Sequence, residues 1–217
     1  MEGQVKVERF VIGPLETNAY LVVDEAEVVL VDPGLESEGI YDTIDRQGLH
    51  VVAIVNTHGH FDHIAGNAFF KAKTGAPLLI HEADLPVMEG ADQQALHFGF
   101  HLPQMPRPDR LLADGEEIAV GSGVLGILHT PGHTPGGICL AGPGFVLAGD
   151  TLFAGSVGRT DMAGGSFETL LSSIRVKLLS FPDDTLVYPG HGPVTTIGAE
   201  RAHNPFLTGK VTLPGAG

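Results

Sequence analysis

The chain of 217 residues has one cysteine, Cys139. No internal disulfide can form, and a reducing compartment is expected. Cations are scarce: 12 Lys and Arg stand against 26 Asp and Glu, a net charge of −14. A nucleic-acid groove or an anionic membrane surface rewards clusters of Lys and Arg, so neither partner is expected. No run approaches the roughly 18 consecutive apolar residues of a membrane span, so no transmembrane helix is expected. The opening MEGQVKVERF lacks the apolar core of a secretory signal, and a cytoplasmic protein is expected. There is no low-complexity linker and no Gly-X-Y period, so a single domain over 1–217 is expected.

Glycine and proline are abundant, at 30 and 15 residues. That excess predicts many turns and loops around short strands and argues against a helical bundle. Val5–Val11, Ala19–Val23 and Val28–Val31 read as short strands. Ser37 is placed to cap a helix running to about Gln47, with Gly48 at its end. Val51–Val55 is a continuous apolar run, as in a strand buried on both faces. A helix is predicted from about Ile64 to Lys73, closed by Gly75, then a strand at Leu78–Ile80. From Leu85 to Asp109 four prolines interrupt the pattern, and an irregular, partly helical excursion is expected. Strands resume at Glu117–Val120, Val124–Leu128, Ile138–Leu140 and Phe145–Ala148. Ser166 is placed to cap a helix whose apolar face carries Phe167, Leu170, Leu171, Ile174 and Leu178. Leu186–Tyr188 is the last core strand. The order strands, helix, strands, helix thus runs twice.

The informative segment is Thr57-His58-Gly59-His60-Phe61-Asp62-His63, directly after the apolar run Val51–Val55. Four ligand-type side chains fall within six residues, where a rigid strand end can aim them at one place. Imidazole with carboxylate suits Zn, Fe or Mn. Three further candidates, His133, Asp150 and His191, each follow an apolar strand and lie beside glycine. A single sheet edge could gather all of them.

This ordered set, HxHxDH followed by His133, Asp150 and His191, resembles the metallo-β-lactamase superfamily over nearly the whole chain. The resemblance implies an α/β fold of the αββα sandwich type, two mixed sheets face to face with helices outside. Gly149-Asp150-Thr151-Leu152-Phe153, Gly155-Ser156-Val157-Gly158-Arg159-Thr160-Asp161 and Tyr188-Pro189-Gly190-His191-Gly192-Pro193 resemble the small glyoxalase II-like hydrolases within it. It implies two divalent metal ions, Zn first, with Fe or Mn also compatible. One would be held by His58, His60 and His133, the other by Asp62, His63 and His191, with Asp150 bridging. The implied activity is hydrolysis of thioesters such as S-lactoylglutathione, with a bridging hydroxide as nucleophile and Asp62 orienting it as well as ligating. Arg159 resembles a cationic residue that contacts a carboxylate of glutathione. Only 26 residues follow His191, fewer than the helical region by which classical glyoxalase II binds glutathione, so the chemistry is expected more firmly than that thiol.

The alternative is a persulfide dioxygenase, a related branch with a similar Gly-Arg-Thr-Asp segment, in which one iron takes two His and one Asp. His60, Asp62, His63 and His191 would then be spare. Of the other histidines, His129 is the best placed to orient a ligand. Cys139 is expected in the core, and the segment Met88–Met105 is expected either to cover the metals or to pack.

Overall fold

The computed structural model describes residues 5–211; residues 1–4 and 212–217 of the expected domain lie outside it. Alternation along the early strands decides the layering. In β2 (Thr17–Asp24) and β3 (Glu27–Val31), Leu21, Val28 and Leu30 face one side, while Tyr20, Val22, Val29 and Val31 face the other. Both faces are therefore apolar and both must be covered.

Six strands form the first sheet in the order β1 (Lys6–Ile12), β2, β3, β4 (His50–Val55), β5 (Leu78–His81) and β6 (Arg110–Leu112). β1, β2 and β3 pair antiparallel, whereas β3 to β6 pair in parallel. Helices α1 (Ile40–Gln47), α2 (Phe61–Ile64), α3 (Asn67–Thr74), α4 (Leu85–Glu89) and α5 (Ala91–His97) supply the crossovers. Ile40, Ile44, Ile64, Phe70 and Met88 from these helices bury the outer face with Leu21, Leu30 and Ile54.

The second sheet has six strands too, ordered β14 (Thr195–Thr196), β13 (Leu186–Pro189), β10 (Phe145–Gly149), β9 (Ile138–Gly142), β8 (Gly123–His129) and β7 (Glu117–Val120). Val29, Val55, Leu125, Ile127, Leu140 and Leu147 meet between the sheets. Its outer face is closed by α6 (Phe167–Ser173), which runs on as a π-helical turn over Ile174–Leu178, and by α7 (Ile197–His203). Layers run helix, sheet, sheet, helix, which is the αββα sandwich expected. Between β10 and α6 lies a small hairpin, β11 (Leu152–Phe153) and β12 (Ser156–Val157).

Several expectations need correction. Ser37 caps nothing: it is fully buried and its hydroxyl donates to the Gly34 carbonyl at 2.8 Å, so α1 starts only at Ile40. The helix expected over 64–73 is α3, closed by Gly75 as expected, but it starts only at Asn67, because the separate short helix α2 ends at Ile64 and the chain turns at Ala65-Gly66. β6, β11, β12, β14 and α7 went unread; the four strands span only two or three residues each, too short for periodicity to register. Ser166 does cap α6, accepting from Thr169 N at 3.3 Å. Cys139 is fully buried in the outer core, where burial pushes its thiol up to about 11. Among the described residues, no helix is long and apolar enough to cross a membrane.

Candidate metal centre

Strand ends place the site. β4 runs through the core and stops at Val55, and the chain from Asn56 to His60 crosses the rim before α2 begins at Phe61. His58 and His60 sit on that rim segment, Asp62 and His63 on α2. His133 lies on the loop from β8 to β9, Asp150 follows β10, and His191 follows β13. All seven converge, and apart from His191, whose side chain is 30% exposed, they are buried or nearly so.

Two trios result. His58, His60 and His133 present ring nitrogens to one another, with His133 Nε2 at 2.9 Å from His60 Nδ1. Asp62, His63 and His191 form the second, with Asp62 Oδ2 at 3.2 Å from His191 Nε2 and 3.4 Å from His63 Nε2. Asp150 stands between them. Its Oδ1 is 3.5 Å from His63 Nε2, and its Oδ2 is 3.5 Å from His133 Nε2. Backbone approach makes room for this: a Cβ on Gly190 would land on the Asp150 carboxylate and lie 2.8 Å from the His63 ring.

The trios differ electrostatically. Burial, reinforced by neighbouring imidazoles, depresses His58 and brings His60 down to about 3, so both rings are neutral with a free lone pair at pH 7. Burial also works against protonated His63, but the Asp62, Asp150 and Asp32 carboxylates outweigh it and raise the ring to about 10. Burial opposes ionised Asp62, yet His63 and His191 hold its carboxyl below the usual range.

The donor set fits divalent metal. His58 Nε2 and Asp150 Oδ1 are buried and meet no hydrogen-bond partner among the described residues. Buried polar atoms are rarely left so, and a cation among three imidazoles, or between carboxylate and imidazole, would satisfy them. Imidazole and carboxylate donors suit Zn, Fe or Mn alike.

Supports missed by sequence reasoning surround the cluster. Asp32, at the end of β3, accepts from Thr57 N at 2.7 Å and Thr57 Oγ1 at 2.6 Å, and its Oδ2 lies 3.0 Å from His63 Nδ1. Asp84 is fully buried and accepts from Gly59 N at 2.8 Å, Thr134 Oγ1 at 2.9 Å and Gly136 N at 2.5 Å. It ties the His58–His60 segment to the His133 loop. Burial raises its pKa even against these donors. Thr17 Oγ1 donates to Asp62 Oδ2 at 3.0 Å. Asp32 was findable by the criterion that picked Asp150, being a carboxylate after an apolar strand with glycine nearby. Asp84 carried no such signal.

Two expectations land elsewhere. His129 contacts no ligand. It stacks on His81, ring centroids 4.1 Å apart, with Nε2 at 2.9 Å from the Pro135 carbonyl, so it steadies the His133 loop from outside. Arg159 does not hold its guanidinium open to a substrate. Asp161 accepts from its Nε at 2.7 Å and from a terminal nitrogen at 2.9 Å, because an acid two residues on fills the planar fork. The main chain of Arg159 meets the site instead: its carbonyl lies 2.7 Å from His133 Nδ1. The stretch Met88–Met105 divides, with Met88 and Met105 in or against the core and Phe98 half exposed beside the cluster.

The metallo-beta-lactamase superfamily profile matches residues 12–191. Hydroxyacylglutathione hydrolase GloC of Haemophilus influenzae is 37% identical over 216 residues, covering 95% of this chain and all of that protein. The solved structure of TTHA1623 in a di-iron-bound form superposes with a TM-score of 0.85 at 42% identity, covering 92% of this chain and all of that one. ETHE1 from Myxococcus xanthus gives 0.78 at 30% identity, over 94% of this chain and 85% of that one.

Proposed function

This chain belongs to the metallo-β-lactamase superfamily, and from that premise we propose that it is a metal-dependent hydrolase of thioesters, with S-lactoylglutathione as the representative substrate. The observation that carries a dinuclear site is Asp150, one oxygen facing each trio at 3.5 Å. Likeness over its full length to a hydroxyacylglutathione hydrolase supports the thioester.

His58, His60 and His133 would hold one cation, Asp62, His63 and His191 the other, and Asp150 would bridge. Divalent cations in such a cluster supply Lewis acidity and a nucleophilic water at neutral pH. The protein's residues do the rest. Asp62 stays ionised beside His63 and His191 and is fixed by Thr17, so its carboxylate can orient a water by accepting a hydrogen bond from it. Asp32 fixes the His63 ring by its Nδ1 side, and the Arg159 carbonyl does the same for His133, leaving both Nε2 atoms facing inward. His191, the most exposed of the ligands, marks the side from which a substrate carbonyl enters.

The likeness to ETHE1 favours a second reading, a persulfide dioxygenase holding a single iron. One experiment separates the two. Protein purified without added metal is analysed for metal content and assayed for thiol release from S-lactoylglutathione. Two equivalents of metal and thiol release are expected. One equivalent of iron, oxygen uptake with a persulfide, and a His191→Ala variant unchanged in metal and activity would overturn the hydrolase reading.

A further inference from the structure

Beside His60 the surface opens into a cavity of about 640 Å³, walled by α4, α5 and the residues after Asp161. Val87, Phe98, Pro135, Met162 and Ala163 line it, and no Lys, Arg, Asp or Glu does. In a chain with 38 fully charged side chains, 12 basic and 26 acidic, a neutral wall against a metal ligand is a chemical choice. Its polar lining is His60, Gln93, Gln94 and His97, of which Gln93 and His97 are exposed at the rim and Gln94 is turned to other work. Gln94 Oε1 accepts from Phe61 N at 3.0 Å, and its Nε2 lies 3.8 Å from Met162 Sδ, bracing one wall. Phe98 stacks on Phe61 with centroids 5.5 Å apart, yet remains 45% exposed, and Leu96 beside it is 54% exposed. Exposed apolar surface grouped at a cavity marks a place where a ligand covers it.

Resting on the thioester reading above, we propose that this cavity receives an uncharged hydrocarbon arm of the substrate, so that the preferred thioesters are those with an apolar acyl or thiol chain and not the anionic, hydrophilic glutathione esters. Glutathione would bring carboxylates to a wall that offers them no cation. Arg159, the cation the sequence singled out, does not line this cavity. An apolar chain instead gains from every methylene it buries and covers Phe98 at the rim.

Two substrate series separate the possible sources of the arm. The first is acetyl, butanoyl, hexanoyl and octanoyl esters of N-acetylcysteamine; the second is acetyl thioesters of ethane-, butane-, hexane- and octanethiol. Metal-loaded protein is expected to show kcat/KM rising about threefold per methylene along one series. It should exceed the value for S-lactoylglutathione by about tenfold at eight carbons. The matching 2-oxoalkyl thioethers, which cannot hydrolyse, should bind with the same slope in calorimetry. Ala163→Trp, an exposed substitution that fills the cavity, should flatten the slope while metal content stays unchanged. Flat slopes in both series, or S-lactoylglutathione as the best substrate, would overturn the proposal and leave the hydrolase reading intact. Chain-dependent thioether binding without hydrolysis of any thioester would do the reverse, sinking the hydrolase reading and keeping the apolar site.

Discussion

The two sheets contribute to the metal cluster in opposite ways. The first delivers four ligands from one continuous stretch, His58 to His63, and braces them with side chains: Asp32 on His63 and Thr57, Asp84 on Gly59, Thr17 on Asp62. The second delivers His133, Asp150 and His191 from separate strand ends, and side chains of the first half hold its loops largely by their main chain: Asp84 accepts from Gly136 N, and Asn18 Nδ2 donates to the Pro189 and Gly192 carbonyls. The Arg159 carbonyl meets His133, and Gly190 N donates to Gly149 O at 2.7 Å beside Asp150 and His191. Among the described residues, each half leaves one buried ligand atom without a hydrogen-bond partner, His58 Nε2 in the first and Asp150 Oδ1 in the second.

The two halves meet at Asp150. Asp150→Ala removes a carboxylate that reaches both trios and is expected to lower kcat more than any single alanine substitution at the ligand histidines. The loss should exceed about a hundredfold, above the 10–100-fold range of residues that merely support a ligand. The check is kcat for one thioester across the seven ligand variants, with metal content measured on each. A histidine variant that loses more than Asp150→Ala would break the bridging assignment.

Asp32→Asn probes the braced half. The amide oxygen can still accept from Thr57 N, but the amide nitrogen cannot accept from His63 Nδ1. A loss of about 10–100-fold in metal affinity or activity is expected, measured by metal titration and steady-state kinetics. Unchanged affinity would mean that His63 needs no support. Asp84→Ala acts on stability instead. It strands the Gly59 and Gly136 amides and the Thr134 hydroxyl in a buried site, so a loss of about 1–3 kcal/mol is expected. Thermal unfolding reads this as roughly 2–4 °C per kcal/mol for a chain of this size.

The same contrast explains how much was legible in the sequence. Neighbouring ligands announce themselves, so HxHxDH could be read at once, and His133, Asp150 and His191 followed from their places after apolar strands. The αββα order followed from the strand and helix runs together with the family resemblance. Supports that act across the fold left weaker marks. Asp32 is solitary, and its partner His63 lies 31 residues away. Asp84 sits in His81-Glu82-Ala83-Asp84, which reads as an acidic surface turn. Only the fold reveals that its carboxylate is buried against Gly136, 52 residues on. Ser37 misled for the same reason: in isolation it is a good cap, but burial under α3's N-terminal Gly66 gives its hydroxyl to Gly34.

The smallest effect is expected at Arg159, where the two modes of bracing meet in one residue. Its carbonyl positions His133, and a side-chain substitution leaves that carbonyl in place. Its guanidinium is more than half exposed and paired with a still more exposed Asp161. Exposed pairs of this kind are weak, screened by salt and readily exchanged. A substrate carboxylate can therefore take Asp161's place on the fork, at the cost of breaking that pair first. Arg159→Ala should leave metal content and kcat nearly unchanged and raise KM about three- to tenfold for S-lactoylglutathione, whose carboxylates the fork can hold. A neutral N-acetylcysteamine thioester should show no such change. The kinetics of the variant on the two substrates, at low and at high salt, decide the matter. A KM penalty confined to the charged ester and shrinking with salt assigns the side chain to substrate. Equal penalties on both esters would instead make the Arg159–Asp161 pair a clamp on the loop that carries the His133 carbonyl contact.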